Sequence, residues 1–221
     1  MSAVERLGPL ADEMVFLGGC ATELLITDRA APAVRVTMDV DVIVEAASRS
    51  DYYLLTERLR GAGFSEDMSE DAPLCRWAAG KVVLDVMPTS PEILGFSNRW
   101  YASAIDRAKE VILPSGYVIR LVTAPYFVAT KLEAFLGRGG GDYMASHDVE
   151  DIVALIDGRK ELAVEVAAAD DELKNYLMEK FSSLLNEPGF MHSLPGHLHP
   201  DEASQGRLPL LLVRIREISG Q

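Results

Sequence analysis

The stretch MDVDVIVE, residues 38–45, decides the fold, because Asp39 and Asp41 alternate with Val40, Val42 and Val44. Successive side chains of a strand point to opposite faces. The alternation therefore predicts a strand whose valines seal a core while both carboxylates project from the other side. The two aspartate Cα atoms lie about 6 to 7 Å apart along such a strand, close enough for both carboxylates to turn toward one divalent cation or an adjacent pair. Ala30-Ala31-Pro32 breaks the pattern upstream, and the alternation from Val34 onward places Arg35 and Thr37 on the carboxylate face as candidate nucleotide contacts. Four polar side chains on one side of a strand equally describe a solvated outer face.

Before this strand, Val15-Phe16-Leu17 reads as a short buried strand running into Gly18-Gly19, and CATELLITD after the glycines reads as a helix. A strand, diglycine and helix in succession point backbone N–H groups and a positive helix end at whatever sits above, and phosphate is the usual occupant. A tight turn that needs glycine explains the same residues, and a diglycine is a much weaker signal than a full phosphate loop.

Downstream, Ser48 to Gly63 predicts a helix, and Leu74–Ala78 with Lys81–Met87 predict a hairpin about Ala79-Gly80. The second side places Asp85 among Val82, Val83, Leu84 and Val86, where a buried charge is costly unless paired, solvated or bound to metal. Arg76 supplies one answer, a structural salt bridge. The other makes Asp85 a third ligand beside Asp39 and Asp41. Glu110–Leu113 and Tyr117–Val122 predict a second hairpin, and APYFVATKLEAFLGR predicts a helix whose apolar residues surround Lys131. GRGGGDYMAS lacks the GK[ST] ending of a phosphate loop, so its glycines suggest mobility. Ser146 can cap a helix over HDVEDIVALIDG, with Asp148 and Asp151 three apart on one face. Two further helices fill 160–187 and a last one covers about 206–218. His192, His197 and His199 lie in a segment read as a loop without recognised metal-ligand spacing.

Composition limits the function classes. With 221 residues, 48% hydrophobic and 25% charged, the chain reads as a soluble globular protein of one large or two small domains. No apolar run approaches the roughly 20 residues of a membrane span, and the N-terminus lacks a basic segment followed by an apolar one, so a cytoplasmic protein with no membrane partner is expected. Cys20 and Cys75 have neither CxxC spacing nor the density of a secreted scaffold, and read as buried thiols. A formal charge of −13 argues against nonspecific nucleic-acid binding, although Arg35, Arg76, Lys81 and Arg99 leave room for a local basic surface in the first half.

Gly18-Gly19 after a strand, the strand carrying Asp39 and Asp41, and the later strand carrying Asp85 resemble the pattern of the nucleotidyltransferase superfamily, with a longer gap from diglycine to Asp39 than in many members. The TMDVDV strand, LDVMPTSPEILGFSNRWY and the stretch from Ala124 to Arg159 are similar to AbiEii-type nucleotidyltransferases, which include abortive-infection toxins and the MenT toxins of bacterial toxin–antitoxin systems. That resemblance implies an α+β chain: a nucleotidyltransferase-like mixed sheet flanked by helices over 1–123 and a helical region over 124–221 closing over the site. It implies that the diglycine holds nucleotide phosphates, that Asp39, Asp41 and Asp85 hold two Mg²⁺ ions, and that Lys131 with Asp148 or Asp151 completes the catalytic set. The implied reaction moves a nucleoside monophosphate from a nucleoside triphosphate (NTP) to an acceptor, with tRNA the acceptor of the toxin relatives and an antitoxin a possible partner. Two other functions are compatible with these residues: a nucleotide-binding or partner-binding protein without turnover, and a small-molecule nucleotidyltransferase of the antibiotic-modifying kind.

Overall fold

The computed structural model describes residues 2–138 and 141–221; Gly139 and Gly140, in the glycine run expected to be mobile, lie outside the described residues. The chain is α+β and forms two compact units, one of Met1–Ala21 with Val36–Thr123 and one of Thr22–Arg35 with Ala124–Gln221. Residues 22–35, read from sequence as part of the first domain, go with the helices.

The first unit is built on a mixed seven-stranded sheet in the order β3-β4-β5-β2-β1-β7-β6. Its strands are β1 (Met14–Leu17), β2 (Asp39–Val44), β3 (Ser65–Glu66), β4 (Arg76–Ala79), β5 (Val82–Pro88), β6 (Lys109–Ile112) and β7 (Val118–Leu121). The helices are α1 (Ala3–Leu7), the start of α2 (Gly19–Leu25), α3 (Arg49–Gly61), α4 (Pro91–Leu94) and α5 (Tyr101–Asp106). α3 begins with a reciprocal cap, in which the Ser48 hydroxyl accepts from the Asp51 N–H and the Asp51 carboxylate accepts from the Ser48 N–H. The central strand β2 lies between antiparallel β1 and parallel β5. Val42, Ile43 and Val44 are fully buried, while Asp39 and Asp41 at the opening end are only half-buried. The carboxylate face is thus polar over its first half alone, because Ile43, on the same face, is covered.

The strand is shorter than the alternation predicts. β1 pairs only as far as Leu17↔Asp41 and β5 only from Val83↔Asp39, so residues before Asp39 have no strand to bond to. Arg35 and Thr37 consequently do not continue β2. Val36 and Met38 are 84% and 82% exposed, which a strand with one sealed face would not allow. α2 likewise ends at Leu25 rather than near Asp28, as Thr27 and Asp28 turn their backbone N–H groups to the Gly158 carbonyl at 3.0 and 2.9 Å.

The second unit packs α6 (Ala124–Gly137), α7 (His147–Gly158), α8 (Leu162–Ala167), α9 (Asp171–Leu185), α10 (Pro188–Ser193), α11 (Glu202–Gln205) and α12 (Leu208–Ser219) with the segment 22–35. α7 is capped as its sequence predicts, with the Ser146 hydroxyl accepting from the Val149 N–H. Arg207 ties the segment 22–35 to α7: its Nε donates to Asp157 at 2.8 Å and its terminal nitrogen donates to Asp28 at 2.9 Å. Gly158 fits against Ile26, where a Cβ would clash with that side chain. The histidine segment is not a loop throughout, since His192 lies in α10 and His197 in a single 3-10 turn. Among the described residues no helix is long and apolar enough to cross a membrane.

Candidate functional site

In the sheet unit the register of three strands assembles a polar row. Parallel pairing sets Asp41 opposite Asp85, and the β4–β5 hairpin sets Arg76 opposite Asp85. Side chains directly opposite in neighbouring strands share a face, so Arg76, Asp85, Asp41 and, two residues earlier, Asp39 project to one side. Leu84 and Val86, on the other face of β5, are fully buried. The expectation that β2 and β5 present their carboxylates together therefore holds for the face.

Arg76 engages two of those carboxylates at once. Its Nε donates to Asp85 Oδ1 at 2.8 Å, and one terminal nitrogen donates to Asp85 Oδ2 at 2.7 Å and to Asp39 Oδ2 at 3.0 Å. Planar, two-point contact of this kind is the strongest geometry an arginine offers a carboxylate. The Asp85 hydrogen bonds raise the Arg76 pKa further above its already high value. Asp85 is only 6% exposed, so the salt bridge resolves the problem of a charge within an apolar strand.

The donor set fits magnesium in kind, being oxygen alone on two adjacent strands. Among the described residues, however, no three acidic, histidine or cysteine side chains come together as a metal-holding group. Arg76 lies across Asp39 and Asp85 where a cation would be expected. The sequence left a salt bridge and a third ligand as alternatives for Asp85; the salt bridge is the one formed in this arrangement.

Gly18 closes the row from β1. Its φ is +73°, and a Cβ there would overlap the Asp41 carboxylate. Glycine is therefore required by backbone conformation and by close approach to Asp41. Gly19 opens α2, a helix of seven residues. Cys75, next to Arg76, is buried, and burial with the nearby Asp85 charge pushes its thiol pKa up to about 12. Cys20 is half-buried, with its thiol donating to the Leu17 carbonyl at 3.3 Å.

A second cluster occupies the helical unit. Lys131 on α6 lies 2.7 Å from Asp151 Oδ2 and 3.3 Å from Asp148 Oδ1, with its ammonium 5.8 Å from the centre of the Phe127 ring. Both aspartates pair with the lysine, so the choice between them disappears. Their three-residue spacing on α7 puts both on the face toward α6, and they are 6% and 3% exposed. Arg138 adds a 2.6 Å contact to Asp148, and Arg35 lies 3.2 Å from Glu150 and 3.5 Å from Asp151. Arg35 is thus a member of the helical unit's cluster and not of the β2 face. Thr37, also outside the strand, donates its hydroxyl to the Asp39 carbonyl at 3.4 Å. His197 and His199 bond through Nε2 to the carbonyls of Tyr143 and Ala33 at 2.7 and 3.1 Å.

No family model and no curated protein matches the sequence. Among solved structures the chain is similar to the crystal structure of JHP933 from Helicobacter pylori, at 15% identity and a TM-score of 0.47, covering 98% of this chain and 87% of that one. It is also similar to a protein from H. pylori named "putative nucleotidyltransferase", at 13% identity and a TM-score of 0.44, covering 98% of this chain and 90% of that one. Likeness at this level assigns neither family nor activity, and the functional reading rests on the residues themselves.

Arg138, Glu150 and the Arg207–Asp157–Asp28 link went unnoticed in the sequence, as did the use of Arg76 by two aspartates at once. Arg76 alone carried a readable signal. Counting back across the hairpin from a Gly80-Lys81 turn pairs Ala79 with Val82 and Arg76 with Asp85.

Proposed function

We propose that the protein is a nucleotidyltransferase that moves a nucleoside monophosphate from an NTP to an acceptor hydroxyl. The observation that supports it is the matched register of Asp41 and Asp85 on adjacent parallel strands, with Asp39 on the same face and Gly18 pressed against Asp41. In this reading Asp39, Asp41 and Asp85 would hold Mg²⁺, two ions in the relatives the sequence resembles. Bound there, magnesium supplies charge stabilisation for attack at the α-phosphate and for departure of pyrophosphate. The chain's own residues have separable tasks. Asp39 and Asp41 present oxygen donors at the open end of β2, Gly18 leaves room beside Asp41, and Arg76 balances the carboxylate charge. Lys131, a compact cation fixed by two aspartates, suits contact with a triphosphate. The finer reading, a toxin of the AbiEii or MenT kind with tRNA as acceptor and an antitoxin partner in the cytoplasm, rests on sequence resemblance.

One observation favours a second reading, a nucleotide-binding protein without turnover: both Asp85 oxygens are taken by Arg76. Incubation with each α-labelled NTP, magnesium, and total cellular RNA, protein or small-molecule extract separates the readings. Covalent label in one fraction supports transfer, and nucleotide binding with no label in any fraction supports the alternative. If RNA takes the label, its binding should fall log-linearly with salt, because each neutralised phosphate releases counterions. A flat dependence would reject a polynucleotide acceptor.

A further inference from the structure

A cavity of about 400 Å³ lies wholly within the helical unit, a volume suited to a small organic ligand. One wall is the segment 31–35, another is the face of α7 carrying Glu150, Asp151 and Ala154, and the third is the turn 196–200. Pro32, Val34, Ala154 and Leu198 make much of the lining apolar. The His199 bond to the Ala33 carbonyl joins two of these walls.

Its polar part is short of hydrogen bonds. Asp151 Oδ2 is paired with Lys131 Nζ at 2.7 Å, whereas Arg35 Nε, 3.2 Å from Glu150 Oε2, is buried and completes no hydrogen bond. A donor left in that condition is costly, and a modest turn of the guanidinium toward a ligand would relieve it. The Arg35 and Glu150 side chains keep 28% and 34% exposure, so a donor and an acceptor stand next to each other within reach.

Charge narrows the ligand. Asp157 is matched by Arg207, Asp151 by Lys131, and Glu150 by Arg35, so each carboxylate of the lining already has a cationic partner. Inorganic phosphate would meet three carboxylates against one arginine of the lining. A metal ion is not indicated in this cavity, since its three carboxylates are already paired with cationic side chains and both imidazoles already use Nε2.

We infer that this cavity binds the base of a nucleoside: an uncharged planar ring presenting a hydrogen-bond acceptor beside a donor on one edge, with Arg35 donating and Glu150 accepting. The inference rests on the nucleotide reading, and its test is kept separate from metal and transfer. Adenosine, guanosine, cytidine and uridine, all without phosphate, are titrated into the full chain by calorimetry or ligand-observed NMR without divalent cation, with ribose as control. At least one nucleoside should bind while ribose does not. Ala154→Leu, which fills the cavity, and Arg35→Met, which removes the donor, should each weaken binding about tenfold or more. Melting curves establish that each variant is folded, and if Ala154→Leu is not, Arg35→Met decides. Absence of binding by every nucleoside, equal binding of ribose, or undiminished binding by the folded variants overturns the proposal. Nucleoside binding without label transfer would instead leave this site standing and remove the transferase reading.

Discussion

Replacing Arg76 by alanine tests how the β2–β5 face is held in charge balance. The substitution removes both hydrogen bonds to Asp85 and the one to Asp39. Asp85 is 6% exposed and stays in place as an uncompensated charge. Breaking a buried pair by deleting one partner costs about 3–5 kcal/mol. The Arg76 side chain is 26% exposed and that of Asp39 38%, so solvent recovers part of the loss and the lower end, about 3 kcal/mol, is expected. For a chain of this size that is a fall of roughly 6–12 °C in melting temperature. Adding Asp85→Asn removes the stranded charge, so the double variant should recover much of the loss, a coupling measurable by a double-mutant cycle. Magnesium should then stabilise Arg76→Ala more than the unchanged protein, because Asp39 and Asp85 no longer share a resident cation. At a concentration ten times the dissociation constant the metal contributes about 1.4 kcal/mol. Chemical unfolding with and without Mg²⁺ reads all of these terms. A loss under about 0.5 kcal/mol, or an equal magnesium increment in both proteins, would refute the reasoning.

Three further outcomes are expected. Lys131→Ala leaves Asp148 and Asp151 buried with weaker partners, so stability should drop by about 2–3 kcal/mol while affinity falls more for a nucleoside triphosphate than for the monophosphate; equal loss for both ligands rejects a phosphate role. Gly18→Ala meets a left-handed φ of +73° and the Asp41 carboxylate together, and unfolding should show a cost of at least about 2 kcal/mol. The Cys75 thiol stays protonated to a pKa of about 12 when folded, against about 8.5 for an unperturbed thiol. The folded state therefore binds the extra proton between these values, and stability complete below about pH 8.5 is lost as pH rises toward 12, by up to about 1.4 kcal/mol per unit. Cys75→Ala should flatten that slope, and a thiol reagent should label half-buried Cys20 well before Cys75.

Much of the sheet was legible because its signals are short-range. The alternation of Asp39 to Val44 reports one buried face, Gly18 reports a special backbone, and Ser146 reports a helix start. The errors came from pairing, which single strands do not encode. Arg35 and Thr37 continue the polar alternation perfectly, but β1 and β5 stop short of them, and the unpaired segment up to Arg35 goes with the helices. Moving the β4–β5 turn by one residue, from Ala79-Gly80 to Gly80-Lys81, shifts the partner of Arg76 from Val83 to Asp85. That single step sets Arg76 directly opposite Asp85 instead of diagonal to it. α4, α5 and α11 have only four to six residues and depend on tertiary packing more than on propensity, so no periodic pattern announced them. Three-residue spacing put Asp148 and Asp151 on one face, whereas their pairing with Lys131 was implied only by the family resemblance, and their sharing of one lysine needed the packing of α6 on α7.

The central claim is that the Asp39, Asp41 and Asp85 face carries magnesium-dependent nucleotidyl transfer. Its most direct test compares transfer of α-phosphate label by the unchanged protein and by Asp41→Asn, in the fraction that takes label, across a magnesium titration. Asp41→Asn removes like charge from a carboxylate cluster, so its stability without metal should be close to that of the unchanged protein. The account predicts magnesium-dependent labelling that the folded Asp41→Asn variant lacks. Equal labelling by the two proteins would contradict it, as would no labelling of any acceptor by the unchanged protein while NTP and magnesium remain bound.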